Sequence, residues 1–274
     1  NAIGLLLDDA SLGMLLASAL PVSPLDLGTG TLNAAFLKFT ALQADASLIT
    51  LLGVPGLDLS VTNLQVRVNQ GSYVPGPWPV TPGLFPPPVI DFQRSFPTGT
   101  HAMGDPADGN RTDGYRVPTN TSGDFKTLLY DQPVVGASAD RVLLRVSDFV
   151  YVSGGFSFNK GPVRNVDVLT NLNESQANGV LGTLPRSDTD PVDGSLAAKV
   201  NGSIIWNLPV QTIDIGLTHV DVFVGYSEGG VLAAAASDGD LTEAELEAGN
   251  AIGLLLDDAS LGMLLASALP VSPL

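Results

Sequence analysis

Three acidic loops hold the side chains of this chain that are best suited to bind a metal ion. Each loop has aspartates two or three residues apart beside a glycine, and such oxygen ligands can surround one calcium ion. The same residue types also form ordinary turns, and no loop has the full EF-hand spacing D-x-[DN]-x-[DN]-G-x5-E. We predict calcium as a cofactor of one or more loops, with turns as the alternative. The candidate ligands are Asp105, Asp108, Asn110 and Asp113 in the first loop, Asp188, Asp190 and Asp193 in the second, and Asp238, Asp240 and Glu243 in the third.

No residues of the chain form a recognisable catalytic set. The chain has no cysteine, and its only histidines are His101 and His219. Two distant histidines do not make a zinc site, and the motifs GxSxG, GxGxxG, GxxxxGK[ST] and HExxH are absent. His219 interrupts an apolar alternation, which indicates a role in the backbone. We predict that the protein is not an enzyme. A secreted hydrolase with paired carboxylates is the least favoured alternative.

Charge and hydropathy exclude two classes of partner. The 274 residues include 12 Lys and Arg against 28 Asp and Glu, for a net charge of −16. Because nucleic acids are bound mainly through basic contacts to phosphate, we expect no nucleic-acid partner. The most apolar stretch, Ile3–Leu20, contains Asp8 and Asp9 and is followed by Pro21. Charges within such a stretch argue for buried strands and against a membrane span.

The first twenty-five residues recur without a substitution at a fixed distance along the chain. Asn1–Leu25 is identical to Asn250–Leu274, an offset of 249 residues. A fixed period is the mark of repeat proteins, whose units pack against their neighbours. We therefore predict that residues 1–249 form one full repeat unit and that residues 250–274 begin the next. Two alternatives stay open: a segment duplicated by design, and separate subunits that polymerise through it.

The elements that position these features are predominantly strands. Apolar and polar residues alternate with period 2 in Leu57–Val68, Arg141–Phe158 and Ile213–Val224, as is typical of β-strands. Single polar residues that tolerate unusual backbone conformations interrupt the apolar runs, which indicates an inner repeat of strand pairs. These residues are Asp9, Asp45, Asn63, Asp148, His219 and Asp258.

One short helix is predicted near residues 243–248. Thr242 and Glu245 have the spacing of a capping box, and Gly249 is a suitable residue for the end of the helix. We predict an all-β module whose strands stack in a solenoid-like arrangement or an elongated sandwich, with this helix leading into the duplicated segment.

Three segments resemble the repeats of very large secreted bacterial proteins. They are VSDFVYVSGGFSFNKG at Val146–Gly161, LDLSVTNLQVRVNQG at Leu57–Gly71, and the AIGLLLDDASLGMLL segment. The resemblance is to tandem β-rich modules of giant surface proteins of the RTX and adhesin type. The RTX nonapeptide GGxGxDxxx is absent, so the calcium β-roll of that family is not implied. The resemblance implies a structural or adhesive role at the cell surface.

These observations together predict a repeat unit of an extracellular fibre, sheath or long adhesin. Its partners are neighbouring copies of itself, in one polypeptide or in a polymer, and each unit covers the open sheet edge of the next. The alternative is a calcium-dependent adhesion module whose loops bind a glycan or a cell-surface ligand.

Overall fold

The computed structural model describes residues 3–19, 37–73, 88–96, 114–170 and 204–269. The strands in these ranges are β1 (Gly4–Asp8), β2 (Ser11–Ser18), β3 (Leu37–Leu52), β4 (Leu57–Tyr73), β5 (Tyr115–Pro118), β6 (Phe125–Leu128), β7 (Val134–Val146), β8 (Val150–Leu169), β9 (Ile204–Tyr226) and β10 (Ile252–Ala268). The helices are α1 (Phe92–Ser95), α2 (Val231–Asp238) and α3 (Glu243–Ala248). The all-β prediction is confirmed, and α3 is the predicted helix.

Most of the strands form one sheet in the order β1–β3–β4–β7–β8–β9–β10, with β2 also paired to β3. The pairings with a defined register, from β1 through to β8, are antiparallel. The strands therefore stack side by side through hairpins. Two of the connections are tight: Leu57 N donates to Val54 O at 3.2 Å between β3 and β4, and Phe149 N donates to Val146 O at 3.1 Å between β7 and β8. Short connections of this kind permit only antiparallel neighbours.

A row of polar residues interrupts the strands. Asp9, Asn63, His219 and Asp258 all have a left-handed backbone, with φ between 47° and 52°. Such a residue is uncommon within strands, and Asp, Asn and His tolerate it better than most residues. Five of the six predicted breaks are therefore confirmed: these four, and Asp148, which lies in the turn between β7 and β8 beside the left-handed residue Ser147. The break predicted at Asp45 is wrong, because Asp45 is not left-handed and continues the regular strand β3.

The members of this polar row on neighbouring strands lie level with one another. Asp8 pairs with Leu48 and Ser11 pairs with Asp45, so the register of the first two strands against β3 is the same on both sides of the break. Ser47 Oγ donates to Asp9 Oδ2 at 3.2 Å across this pair. Further along, Asn63 Nδ2 donates to Asp140 Oδ2 at 2.7 Å, between β4 and β7. The polar row thus runs from the first copy across β3 and β4 to β7.

The β5–β6 hairpin and α1 cover one region of the sheet. Their buried residues form what we call the hairpin-side cluster: Ala41 of β3, Phe92 of α1 and Leu128 of β6. Asn69, which is 1 % exposed, holds the segment before α1, because its Nδ2 donates to Ile90 O and Gln132 O at 3.0 Å each.

The two helices between β9 and β10 cover a second region of the sheet. Here the buried residues form the helix-side cluster: Leu143, Tyr151, Phe223, Leu232, Ala235, Leu241 and Leu246. The hydroxyl of Tyr151 donates to Ala235 O of α2 at 3.3 Å. The capping box of α3 is present, with Glu245 N donating to Thr242 Oγ1 at 3.3 Å and Thr242 N donating to Glu245 Oε2 at 2.8 Å. These contacts fix the helices that lead into β10.

By its internal contacts, the chain divides into two compact parts, and both clusters belong to the first part. Of the described residues, the second part contains 161–170, 204–212 and 265–269. Within it, Gln211 Nε2 donates to Gly161 O at 2.5 Å, and Leu269 N donates to Pro209 O at 3.0 Å.

Candidate functional site

The two copies of the duplicated segment form the two edge strands of the described sheet. The first copy, Asn1–Leu25, supplies β1 and β2, which pair with β3. The second copy, Asn250–Leu274, supplies β10, which follows β9 in the strand order. Each position of the first copy corresponds to the position 249 residues later. One sequence therefore occupies two different neighbourhoods, and the comparison between them separates what each neighbour contributes.

Both copies expose many large apolar side chains. Those exposed in the first copy are Ile3, Leu5, Leu6, Leu7, Leu12, Met14 and Leu16, and those in the second are Ile252, Leu254, Leu256, Leu261, Met263, Leu264 and Leu265. An edge strand with exposed apolar residues and unpaired backbone groups is a template for another strand, and proteins ordinarily protect such edges. This surface is suited to binding a further β-strand.

The two copies direct opposite sides of the same backbone towards the sheet. In the first copy, Ala19 N donates to Leu37 O of β3 at 3.0 Å. In the second copy, Leu269 N donates to Pro209 O of β9 at 3.0 Å, and Leu269 corresponds to Leu20. Consecutive residues of a strand point their N–H and C=O groups to opposite neighbours. After the left-handed residue, the N–H groups that the first copy directs towards β3 are thus those that the second copy directs away from β9.

Corresponding leucines show the same complementarity in their packing. Leu15 packs against the hairpin-side cluster, whereas its counterpart Leu264 is 62 % exposed. Leu255 packs against the helix-side cluster, whereas its counterpart Leu6 is 42 % exposed. Each copy therefore fills one of the two clusters and leaves the residue for the other cluster uncovered.

Two glycines of the segment are each explained by only one of the copies. A Cβ on Gly13 would lie 2.8 Å from Lys126 Cβ of the β5–β6 hairpin, whereas one on its counterpart Gly262 would meet nothing within 4 Å. A Cβ on Gly253 would lie 2.6 Å from Val224 O and 2.8 Å from Gly225 Cα of β9, whereas one on its counterpart Gly4 would meet nothing within 4 Å. The segment therefore carries one glycine for each of its two neighbourhoods.

An acidic group lies where the second copy meets β9. Asp221 is 6 % exposed, and its Oδ1 accepts a hydrogen bond from Asp258 N at 2.9 Å. Burial raises the pKa of Asp221. The hydrogen bond from Asp258 N lowers it, and the negative charges of Asp240, Asp257 and Asp258 raise it. The net effect is a raised pKa, so the folded environment favours protonated Asp221, although the hydrogen bond from Asp258 N by itself favours the carboxylate.

Only the third of the three predicted calcium loops lies among the described residues. The loops with Asp105, Asp108, Asn110 and Asp113 and with Asp188, Asp190 and Asp193 lie outside the described residues. In the third loop, Asp238 ends α2, Asp240 follows it and Glu243 begins α3. Among the described residues, no group of three or more His, Cys, Asp or Glu side chains is placed to hold a metal. Calcium binding therefore stays a prediction from the sequence.

The remaining predictions concern histidine and the membrane. His219 is one of the left-handed residues of the polar row, as its place in the sequence indicated, and His101 lies outside the described residues.

None of the helices in the part of the chain that the structure describes is long and apolar enough to cross a membrane.

Sequence reasoning found the duplicated segment but missed which of its residues face each neighbour. The contrast between Gly13 and Gly262 depends on the β5–β6 hairpin, which lies far away in sequence.

Comparison of the chain with protein-family models, with curated proteins and with solved structures finds no match in any of the three.

Proposed function

We propose that this protein is the structural repeat unit of an extracellular fibre, sheath or long adhesin, in which successive units join through the duplicated segment. The observation that carries the proposal is that one 25-residue sequence supplies both edge strands of the described sheet, in which each copy pairs with a strand on only one side. A neighbouring unit would supply the missing side.

The energy available at such a junction is large. Fully burying a Leu, Ile or Met side chain contributes about 1.5–3 kcal/mol, and seven such residues of each copy are between 39 % and 77 % exposed. Covering them would contribute on the order of 5–10 kcal/mol before the entropy lost on ordering is subtracted. Units that are linked in one chain also lose little translational freedom when they associate. A junction of this kind can hold an array together under load.

Composition supports placing the array outside the cell. A net charge of −16 favours solubility at a surface in contact with salt, and a chain without cysteine is unaffected by the oxidising conditions found there. The segments that resemble giant secreted bacterial proteins point the same way. The role that we propose is mechanical, with no catalytic step.

The denatured mass of the native polypeptide, together with its accessibility to protease on intact cells, tests this proposal. We expect a mass of several periods of 249 residues and cleavage by external protease. A mass close to one period would mean that any assembly is non-covalent. A polypeptide of one period that external protease does not reach, and that stays monomeric at high concentration, would refute the proposed function.

A further inference from the structure

We infer that each junction of the array contains the duplicated segment once, as a single strand shared by two units. One edge of this strand pairs with β9 of the preceding copy of the chain, and its other edge pairs with β3 of the following copy. The inference rests on the proposed tandem arrangement and names the partner at the junction, which is a second copy of this chain. The two halves of the junction are both present in the structure, one at each end of the sheet.

The backbone allows both pairings at once. The pairing with β3 uses the N–H of Ala19 and, by alternation, those of Ala17 and Leu15. The pairing with β9 uses the N–H of Leu269, which corresponds to the next residue of the segment, Leu20. Because the two sets of groups are interleaved and do not overlap, neither pairing has to break for the other to form.

The side chains also allow both pairings at once. At the position shared by Leu6 and Leu255, the helix-side cluster of the preceding unit accepts the leucine. At the position shared by Leu15 and Leu264, the hairpin-side cluster of the following unit accepts it. These two positions are nine residues apart, so the same strand can fill both clusters. The two glycine positions are satisfied in the same way, one by each unit.

A shared strand makes the sheet continuous from unit to unit. The described sheet has six strand positions from the first copy to β9, before the second copy begins the next period. Neighbouring strands lie about 4.8 Å apart, so each period would advance the sheet by roughly 29 Å along its hydrogen-bonding direction. Electron microscopy of native arrays should show this repeat, shortened only by the twist of the sheet.

The direct test compares the 274-residue chain with a chain of two periods, residues 1–249 followed by residues 1–274. Amide hydrogen exchange is measured by NMR at Leu264, Ala266 and Ala268, which face away from β9 by the alternation described above. In the 274-residue chain these amides should exchange rapidly. In the middle copy of the two-period chain we expect them to be protected by at least about 100-fold more. The last copy of the same molecule, which has no following unit, is the internal control and should stay unprotected.

Each outcome decides the inference. If Leu264, Ala266 and Ala268 of the middle copy exchange as rapidly as those of the last copy, the shared strand is refuted, while a native mass of many periods would leave the proposed function standing. A two-period chain that fails to fold would refute it as well, because the inferred junction adds contacts and removes none. Protection in the middle copy combined with a native mass of one period would instead support the junction and count against the covalent array.

Discussion

Four alanine substitutions at two pairs of corresponding leucines give a matched test of the two neighbourhoods. Leu15→Ala removes a side chain that packs against the hairpin-side cluster, and Leu264→Ala removes the same side chain, in the same local sequence, where it is 62 % exposed. Leu255→Ala and Leu6→Ala form the second pair, with the packed residue now in the second copy. Differences in helix or strand propensity cancel within each pair.

The expected change in the free energy of unfolding follows from how deeply each leucine is buried. A fully buried Leu→Ala substitution costs about 2–5 kcal/mol, and Leu15 and Leu255 are partly buried, so we expect each to lower the free energy of unfolding by about 1–3 kcal/mol. The substitutions at Leu264 and Leu6 should each cost about 0.5 kcal/mol or less, since exposed sites away from the core are usually within that range. For a chain of this size, 1 kcal/mol corresponds to a change in Tm of roughly 2–4 °C.

Urea denaturation followed by circular dichroism measures these differences in the 274-residue chain. The expected pattern is crossed: the first copy is sensitive at one position and the second copy at the other. Equal costs within either pair would refute the reasoning, because they would mean that the corresponding leucines have equivalent surroundings. In the middle copy of a two-period chain, both positions should become sensitive.

Three further predictions test single contacts. Gly13→Val should lower the free energy of unfolding by at least about 1 kcal/mol, because the Cβ of the new valine would meet the β5–β6 hairpin. Gly262→Val should be nearly neutral, because a Cβ there meets nothing within 4 Å, and similar melting curves for the two variants would contradict this. Burial raises the pKa of Tyr130 to about 12, so the contribution of its neutral form to stability should be complete below pH 10 and should be lost as the pH rises towards 12. Burial also raises the pKa of Tyr151, so ultraviolet titration should show more than one tyrosine that ionises late, and Tyr130→Phe should remove one of them; an unchanged titration would contradict this. Because the pKa of Asp221 is raised, the contribution of its protonated form to stability is complete at acidic pH and is lost as the pH rises through the pKa of the folded state. Asp221→Asn keeps the oxygen that accepts from Asp258 N and should raise Tm at pH 7 but not at pH 3. A lower Tm of this variant at pH 7 would contradict the raised pKa.

Local sequence signals were sufficient for several elements of this fold. The bounds of α3 follow from Thr242 and Glu245, whose capping box depends only on residues three apart. The left-handed residues Asn63 and His219 could be found because the apolar alternation changes phase at each of them: it falls on odd positions before the residue and on even positions after it. Such signals are visible in sequence because the interactions that produce them are local.

Other features depend on contacts between residues that are distant in sequence. Asp45 was predicted to interrupt a strand, but it forms an ion pair with Lys126 of β6, and nothing near Asp45 indicates that partner. Helix α2 is built largely from an alanine run whose packing against Phe223 and Tyr151 stabilises it. For the candidate site, the duplication identified the segment, but the pairing of each copy with a different strand was needed to separate the roles of its two sides.

The left-handed residues also bear on how neighbouring units would align. The segment GLLLDDASLGMLL is apolar on both faces, so a shift by two residues would bury nearly the same side chains, and strands of this kind slip easily. Asp9 and Asp258 mark a fixed level within this otherwise featureless strand, opposite Ser47 on one side and beside Asp221 on the other. A slipped strand would move the left-handed residue away from these partners and lose both hydrogen bonds. The left-handed residue therefore fixes the register between neighbouring strands, and shifts in register would not accumulate from unit to unit along an array.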